Sequence, residues 1–405
     1  MAREFGTRPV NFLLVIFLVI DIIIFFFREG KVTHAKGPAI FILIFAWAGV
    51  SNALSISWFG LPQKNLIEFI KQALTFSYGV LSIIAWNGLI RATGTDYIEY
   101  IRKVVVGITL VYIASYWLDY FSLISCHTAI VDALTLRQDC TRPSGLFSEP
   151  SYVGAWAAFA LPYALLGIKR RKGIIASLSV ATFIIGSALS SGSRTFAAIS
   201  ALQIIAFALP SRRIFVLILI SASLISPFFV LAVHGLTDYS AIDRSYATLA
   251  ALNAALHHPF IGIGIGQFTN YFLQHHFSAQ GIGSTEIATW LAGNNGERLS
   301  TFNIFTRVAD EFGLLGLAIF LFVINFTLIK NRTFNPSWLV RFQYAQLAGG
   351  LGFWLTQDSY VYQPAIFSLA ISLAIKNSGA IKVRTSQMIE TKLAQRHTHP
   401  IDRTE

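Results

Sequence analysis

Charge is scarce in this chain: Asp, Glu, Lys and Arg make up 13% of its 405 residues, against 54% hydrophobic residues. A water-soluble fold of that length carries about a quarter of its residues as charges, so the composition excludes one. Cysteine is nearly missing as well, with Cys126 and Cys140 alone. No His and Cys residues stand at metal-ligand spacing, no Asp-x-Asp pair is available to hold a divalent cation, and no Ser-His-Asp arrangement or internal repeat is found. Alternating ten-residue segments, the mark of a membrane β-barrel, are also lacking.

What the chain does have is a series of continuous apolar runs of 16 to 25 residues with short polar breaks. About 20 residues of helix cross about 30 Å of hydrocarbon, and backbone groups in lipid must bond within their own segment. The expected fold is therefore all-α, a polytopic transmembrane helix bundle of about 11 spans (10–12) with one large periplasmic loop. The spans fall near 10–27, 38–59, 66–90, 104–124, 151–168, 173–189, 195–209, 214–232, 312–329, 339–356 and 362–375. No small-residue cleavage site follows the first run, which is read as an uncleaved span. Asp21 within it is either a functional acid or a carboxyl bonded to a neighbouring polar group. Residues 1–376 form one transmembrane domain, and 377–405 read as a basic, disordered cytoplasmic tail.

The net charge of +11 raises the question of nucleic acid. Its distribution answers it: with the C-terminus inside, cytoplasmic segments hold 21 of the 31 Lys and Arg, including the run Lys169 to Lys172. That is the positive-inside rule at work, and no nucleic-acid partner is needed. The same map leaves Arg3 and Arg8 outside, along with two loops, 125–150 and 233–311. Cys126 and Cys140 lie together in the first of these, in an oxidising compartment, so they are expected to pair. Closing a loop of that size stabilises a fold by about 3 kcal/mol in the chain-entropy model. The alternative is two free buried thiols.

Polar groups collect where the outer loops meet the spans. The stretch Arg142 to Tyr152 reads Arg-x-x-Gly-Leu-Phe-x-Glu-Pro-Ser-Tyr and feeds straight into a span. Glu149 either caps that helix, beside the positive end of its dipole, or acts chemically. A Ser-x-Ser-Arg turn, Ser191 to Arg194, opens another span with an arginine among small hydroxyls, an arrangement suited to phosphate. Segment 233–311 is long enough to hold helices of its own. It runs from Asp243-Arg244 through an apolar helical stretch to His258-Pro259 and Gly262-x-Gly264-x-Gly266. No strand precedes these glycines, which excludes a dinucleotide fingerprint and favours a tight re-entrant turn. His258 either caps that turn or takes part in chemistry. The segment ends with Asn303 and Arg307, one helical turn apart, followed by Glu311-x-Gly-Leu-Leu-Gly-Leu.

Together these stretches, spread over 142–317, resemble the bacterial O-antigen and exopolysaccharide polymerases and the related O-antigen ligases. The resemblance implies a metal-independent, inverting, GT-C-like glycosyltransferase that needs no cofactor. Glycan would pass from an undecaprenyl-pyrophosphate-linked oligosaccharide to an acceptor sugar at the periplasmic face of the inner membrane. It also implies a chain-length regulator and a flippase as partners. Ligases place histidine before the asparagine, whereas this chain has Phe302, so polymerase is the first reading and ligase the second. A lipid-linked oligosaccharide transporter is the third, but it would show pseudo-symmetric halves. On this view Arg194 and Arg244 stabilise the departing pyrophosphate and Glu149 is the base, with Asp243, Asp310 and Glu311 as rivals. Arg142, Tyr152, Ser193, His258, Asn303 and Arg307 would bind substrate.

Overall fold

A computed structural model describes residues 95–123, 150–169, 174–190, 194–211, 239–275, 299, 301–324, 337–356 and 365–375. All regular secondary structure among them is α-helical, as the composition requires. The helices are α1 Thr95–Tyr120, α2 Pro150–Lys169, α3 Ile174–Ser190, α4 Arg194–Ala208, α5 Tyr239–His257, α6 Phe268–His275, α7 Ile304–Ile324 and α8 Ser337–Thr356, followed by α9, Ala365–Ile375. The expected spans 10–27, 38–59, 66–90 and 214–232 lie outside the described residues, as do Cys126, Cys140, Arg142, Glu149, Ser193 and the tail 377–405.

The chain divides into two compact units. One consists of Trp86–Ser211, Thr327–Gly349 and Ser368–Glu405. At its centre α2 packs against α1, α3 and α4. The sequence of α2 explains that position, because Ala155, Ala157, Ala158, Ala160 and Ala164 are all buried and let neighbouring backbones approach closely. Neutral polar contacts tie the helices together. Trp156 Nε1 donates to Thr109 Oγ1 at 3.0 Å, and Ser372 Oγ donates to the Gln343 carbonyl at 3.2 Å. Arg341 Nη1 donates to the Phe207 and Ala208 carbonyls at 3.0 and 2.7 Å. It thus satisfies the free C-terminal end of α4 with a cation.

Helix α1 begins at Thr95, nine residues before the expected span 104–124, because Glu99 and Arg102 pair at 2.6 Å and carry the helix beyond its apolar run. It ends in a left-handed Ser122, φ 57°, with Leu123 N–H bonded to the Leu118 carbonyl. Among the described residues, the stretch Ile98–Tyr120 within it is long and apolar enough to cross a membrane. Val153–Ile168, Phe196–Ala208 and Ala365–Ile375 are shorter apolar helices.

The other unit consists of Met1–Ala85, Arg212–Phe326 and Gly350–Phe367. Here α5 lies along α7, burying an alanine stripe of Ala247, Ala250, Ala251 and Ala254 with Ile263, Phe268 and Phe272. Segment 233–311 thus contains helices, as its length suggests. Its last eight residues are not loop, however, because α7 starts at Ile304 and not at 312.

Candidate functional site

The helix α7 is broken at Gly313, whose φ of 75° and ψ of 175° leave the helical region. A break frees carbonyls on one side and amides on the other, and each needs a partner. The loop after α5 supplies both kinds. Ile263 N–H donates to the Asp310 carbonyl at 2.7 Å and Gly264 N–H to the Glu311 carbonyl at 3.2 Å, while Leu315 N–H donates to the Pro259 carbonyl at 3.1 Å. Loop and helix therefore cap each other.

Only glycine allows so close an approach. A Cβ on Gly262 would stand 2.5 Å from Gly313 N, and one on Gly313 would stand 2.6 Å from the Pro259 carbonyl oxygen. Gly262, Gly264 and Gly266 have φ of 67°, 93° and 74°, the left-handed turn expected of the Gly-x-Gly-x-Gly stretch. Between them Ile263 and Ile265 are buried and anchor the loop.

The Glu311 carboxylate completes the lock. Its Oε1 accepts from Gly266 N–H at 3.0 Å and from Arg307 Nε at 3.0 Å. The Arg307 and Glu311 side chains are only 4% and 2% exposed. This is a buried ion pair at i, i+4 spacing, which holds its geometry because removing either partner strands the other charge. Asp310 is buried beside it.

At the start of α7, Asn303 is the helix cap. Its Oδ1 accepts from Phe305 N–H at 2.8 Å and Thr306 N–H at 3.4 Å. Thr301 Oγ1 donates to the Asn303 carbonyl, and Thr248 Oγ1 on α5 donates to the Thr301 carbonyl. This bonding bends the chain tightly enough to leave Phe302 at φ 55°. The guanidinium of Arg244, on α5, lies 5.4 Å from the centroid of the Phe302 ring. Arg244 is exposed, so its charge is held by a cation–π contact and stays open to solvent.

His258 is half-buried, its ring set edge-on to that of Tyr271 with centroids 6.1 Å apart, and Tyr271 stacks on His275 with centroids 4.3 Å apart. Desolvation, then the nearby His257 and His275, hold its pKa below the ordinary histidine value. It is neutral at neutral pH. Its backbone closes the turn, accepting from Gly262 N–H at 2.9 Å.

Of the residues expected to act, Arg244, Asn303 and Arg307 lie on α5 and at the start of α7, with Arg244 over Phe302 beside Asn303, whereas His258 follows the far end of α5, fourteen residues along from Arg244. Tyr152 stands in the first turn of α2 and Arg194 at the start of α4. Three features escaped the sequence reading: the Glu311 lock, the break at Gly313 and the capping by the Pro259 carbonyl. The usable signal was a glutamate four residues after an arginine and two before a glycine. Among the described residues, no three His, Cys, Asp or Glu side chains converge to hold a metal ion. No protein-family model matches the chain, and no curated protein matches it.

Proposed function

We propose that the chain is a polysaccharide polymerase of the inner membrane, built as a bundle of about 11 spans whose active site faces the periplasm. The reading rests on one observation above all: Arg244 is fixed over Phe302, at the positive end of α7, with its cation exposed. An oriented guanidinium beside a helix N-terminus suits an anionic leaving group. The ring that holds it belongs to Phe302, the residue that stands where the ligases carry histidine, and this favours polymerase over ligase.

Membrane placement is supported by the 23-residue segment Ile98–Tyr120, long and apolar enough on average to cross a bilayer. Tyr116, Trp117, Tyr120 and Phe121 form an aromatic cluster at the C-terminal end of the same helix. Such rings gather at the membrane–water boundary. Arg341 on the end of α4 adds a cation at the side that charge distribution assigns to the cytoplasm.

The reaction transfers an anomeric carbon. The acceptor hydroxyl oxygen attacks it, the bond to the pyrophosphate oxygen breaks, and the hydroxyl proton passes to a carboxylate, for which Glu149 is the candidate. Undecaprenyl pyrophosphate leaves with the bonding electrons, and Arg194 and Arg244 offset the charge it gains. Glu311 is less suited to be the base, since its carboxylate already holds Arg307 and Gly266 N–H. Arg307 then serves by keeping the loop and the start of α7 in register. Incubating the purified protein with its lipid-linked repeat unit and sizing the products tests the proposal. A ladder of lengthening chains is expected. Single transfer to a lipid A core acceptor would make the protein a ligase, and unchanged repeat unit would end the enzymatic reading.

A further inference from the structure

Helix α5 has two apolar faces, and only one of them is buried. Opposite the alanine stripe packed with Ile263, Phe268 and Phe272, Leu249, Leu252 and Leu256 follow each other at three- and four-residue steps along one side. Leu249 is 38% exposed, Leu256 59%, and Phe260, at the tip of the turn that follows, 71%. A helix in water normally turns charged or polar residues outward. Arg244 and His257 are exposed on the flanks of this strip, leaving its centre apolar.

The strip does not end at Phe260. The bond from Leu315 N–H to the Pro259 carbonyl, 3.1 Å, sets the turn against α7 just past the break. There, a Cβ on Gly313 would come within 2.8 Å of the Phe260 carbonyl carbon. Beyond that point Leu315, Ile319 and Phe322 are 42%, 39% and 64% exposed on one side of α7. The exposed apolar surface therefore passes from α5 across Phe260 onto the segment read as a span. Lipid already covers the far end of it in that reading.

We infer that Leu249, Leu256 and Phe260 lie in the outer leaflet of the bilayer, so that α5 is an in-plane interfacial helix and not part of an aqueous loop. The inference rests on α7 crossing the membrane beyond Gly313, and the partner it names is bilayer phospholipid. An in-plane helix with its apolar side down and polar side chains at its flanks, Arg244 among them, has the build of a monotopic anchor. It sets Arg244 at the depth of the lipid headgroups, where a lipid-borne pyrophosphate also lies.

A photoreactive benzophenone amino acid, placed singly at Leu256, Phe260, Phe322 and His275, tests this. The full-length variants are reconstituted in vesicles of phosphatidylethanolamine and phosphatidylglycerol, without lipid-linked sugar, and irradiated. Intact-protein mass spectrometry then reads adducts. Phospholipid adducts at positions 256 and 260 should match the yield at 322, with loss of the adduct at 275. Lipid adducts at 322 but none at 256 and 260 would overturn the inference while leaving α7 a span. Equal labelling at all four positions would overturn it too, since the strip would then be no different from its surroundings. No adduct at 322 would remove the spanning segment itself, and the inference with it.

Discussion

The two units bury polar groups of different kinds. In the unit centred on α2, the buried polar side chains among the described residues are hydroxyls and amides: Thr109, Ser115, Ser200, Gln203, Gln343, Gln346, Ser368 and Ser372. In the unit built on α5 and α7 they include Arg307, Asp310 and Glu311. Hydroxyls and amides are sufficient to register apolar helices, at modest energies per bond. Buried charges are far more costly and mark places where a chain does something besides pack. The contrast sets a buried ionic lock, Arg307 with Glu311, in the α5–α7 unit against a neutral polar register among the helices of the other.

The largest effect should come from breaking the buried pair. Glu311→Ala leaves Arg307 without its partner and Gly266 N–H without its acceptor, at a cost of about 3–5 kcal/mol. Thermal unfolding in detergent should show a steep fall in Tm, and Glu311→Gln, which keeps the acceptor but loses the charge, should fall between. Removing the cap is the next test: Asn303→Ala should cost about 0.5–2 kcal/mol in the same assay. An unchanged Tm would mean that α7 does not depend on this cap.

A smaller effect is expected from pH. Because the folded state holds the His258 pKa below its ordinary 6.5, the unfolded chain binds more protons as pH falls through that value. Stability should therefore be fully present above 6.5 and decline below it, down to the folded pKa. His258→Phe should flatten that decline, and an equal slope in the variant would assign it to other groups. Smallest of all is the response of the α2 unit. Neither side-chain polar atom of Gln203 finds a hydrogen-bond partner among the described residues. Gln203→Leu should leave Tm unchanged or slightly higher, because the amide is desolvated without return. A large loss there would erase the contrast between the units.

The helices most legible in the sequence were those whose ends coincide with a change of polarity. The expected spans 151–168 and 173–189 fall within one residue of α2 and α3 at each end, because Pro150 and Lys169 to Lys172 bound their apolar runs. Two helices began earlier than hydropathy allowed, for one physical reason. At Glu99–Arg102 and Arg307–Glu311 opposite charges three or four residues apart cancel along the helix, whereas a reading by composition counts them as water-facing. The glycine turn was legible because positive φ is a property of the residue itself. Its docking onto Gly313 was not, since it depends on two segments about fifty residues apart meeting backbone to backbone, which local pattern does not encode. The candidate site divides in the same way: Arg244 and Arg307 were marked by the stretches that carry the family resemblance, but nothing local distinguishes the exposed one from the buried one.

That distinction carries the central claim, and Arg244→Lys tests it most directly. Lysine keeps the charge but loses the planar fork that stacks on Phe302 and pairs with a phosphate. An exposed side chain leaves stability unaffected, so membrane levels should match the wild type. The rate of polymerisation on the purified lipid-linked repeat unit should fall by roughly 10²–10³ if the guanidinium stabilises the leaving pyrophosphate. Polymer of wild-type length at the wild-type rate would show that Arg244 only anchors α5 at the headgroups, and would contradict the account.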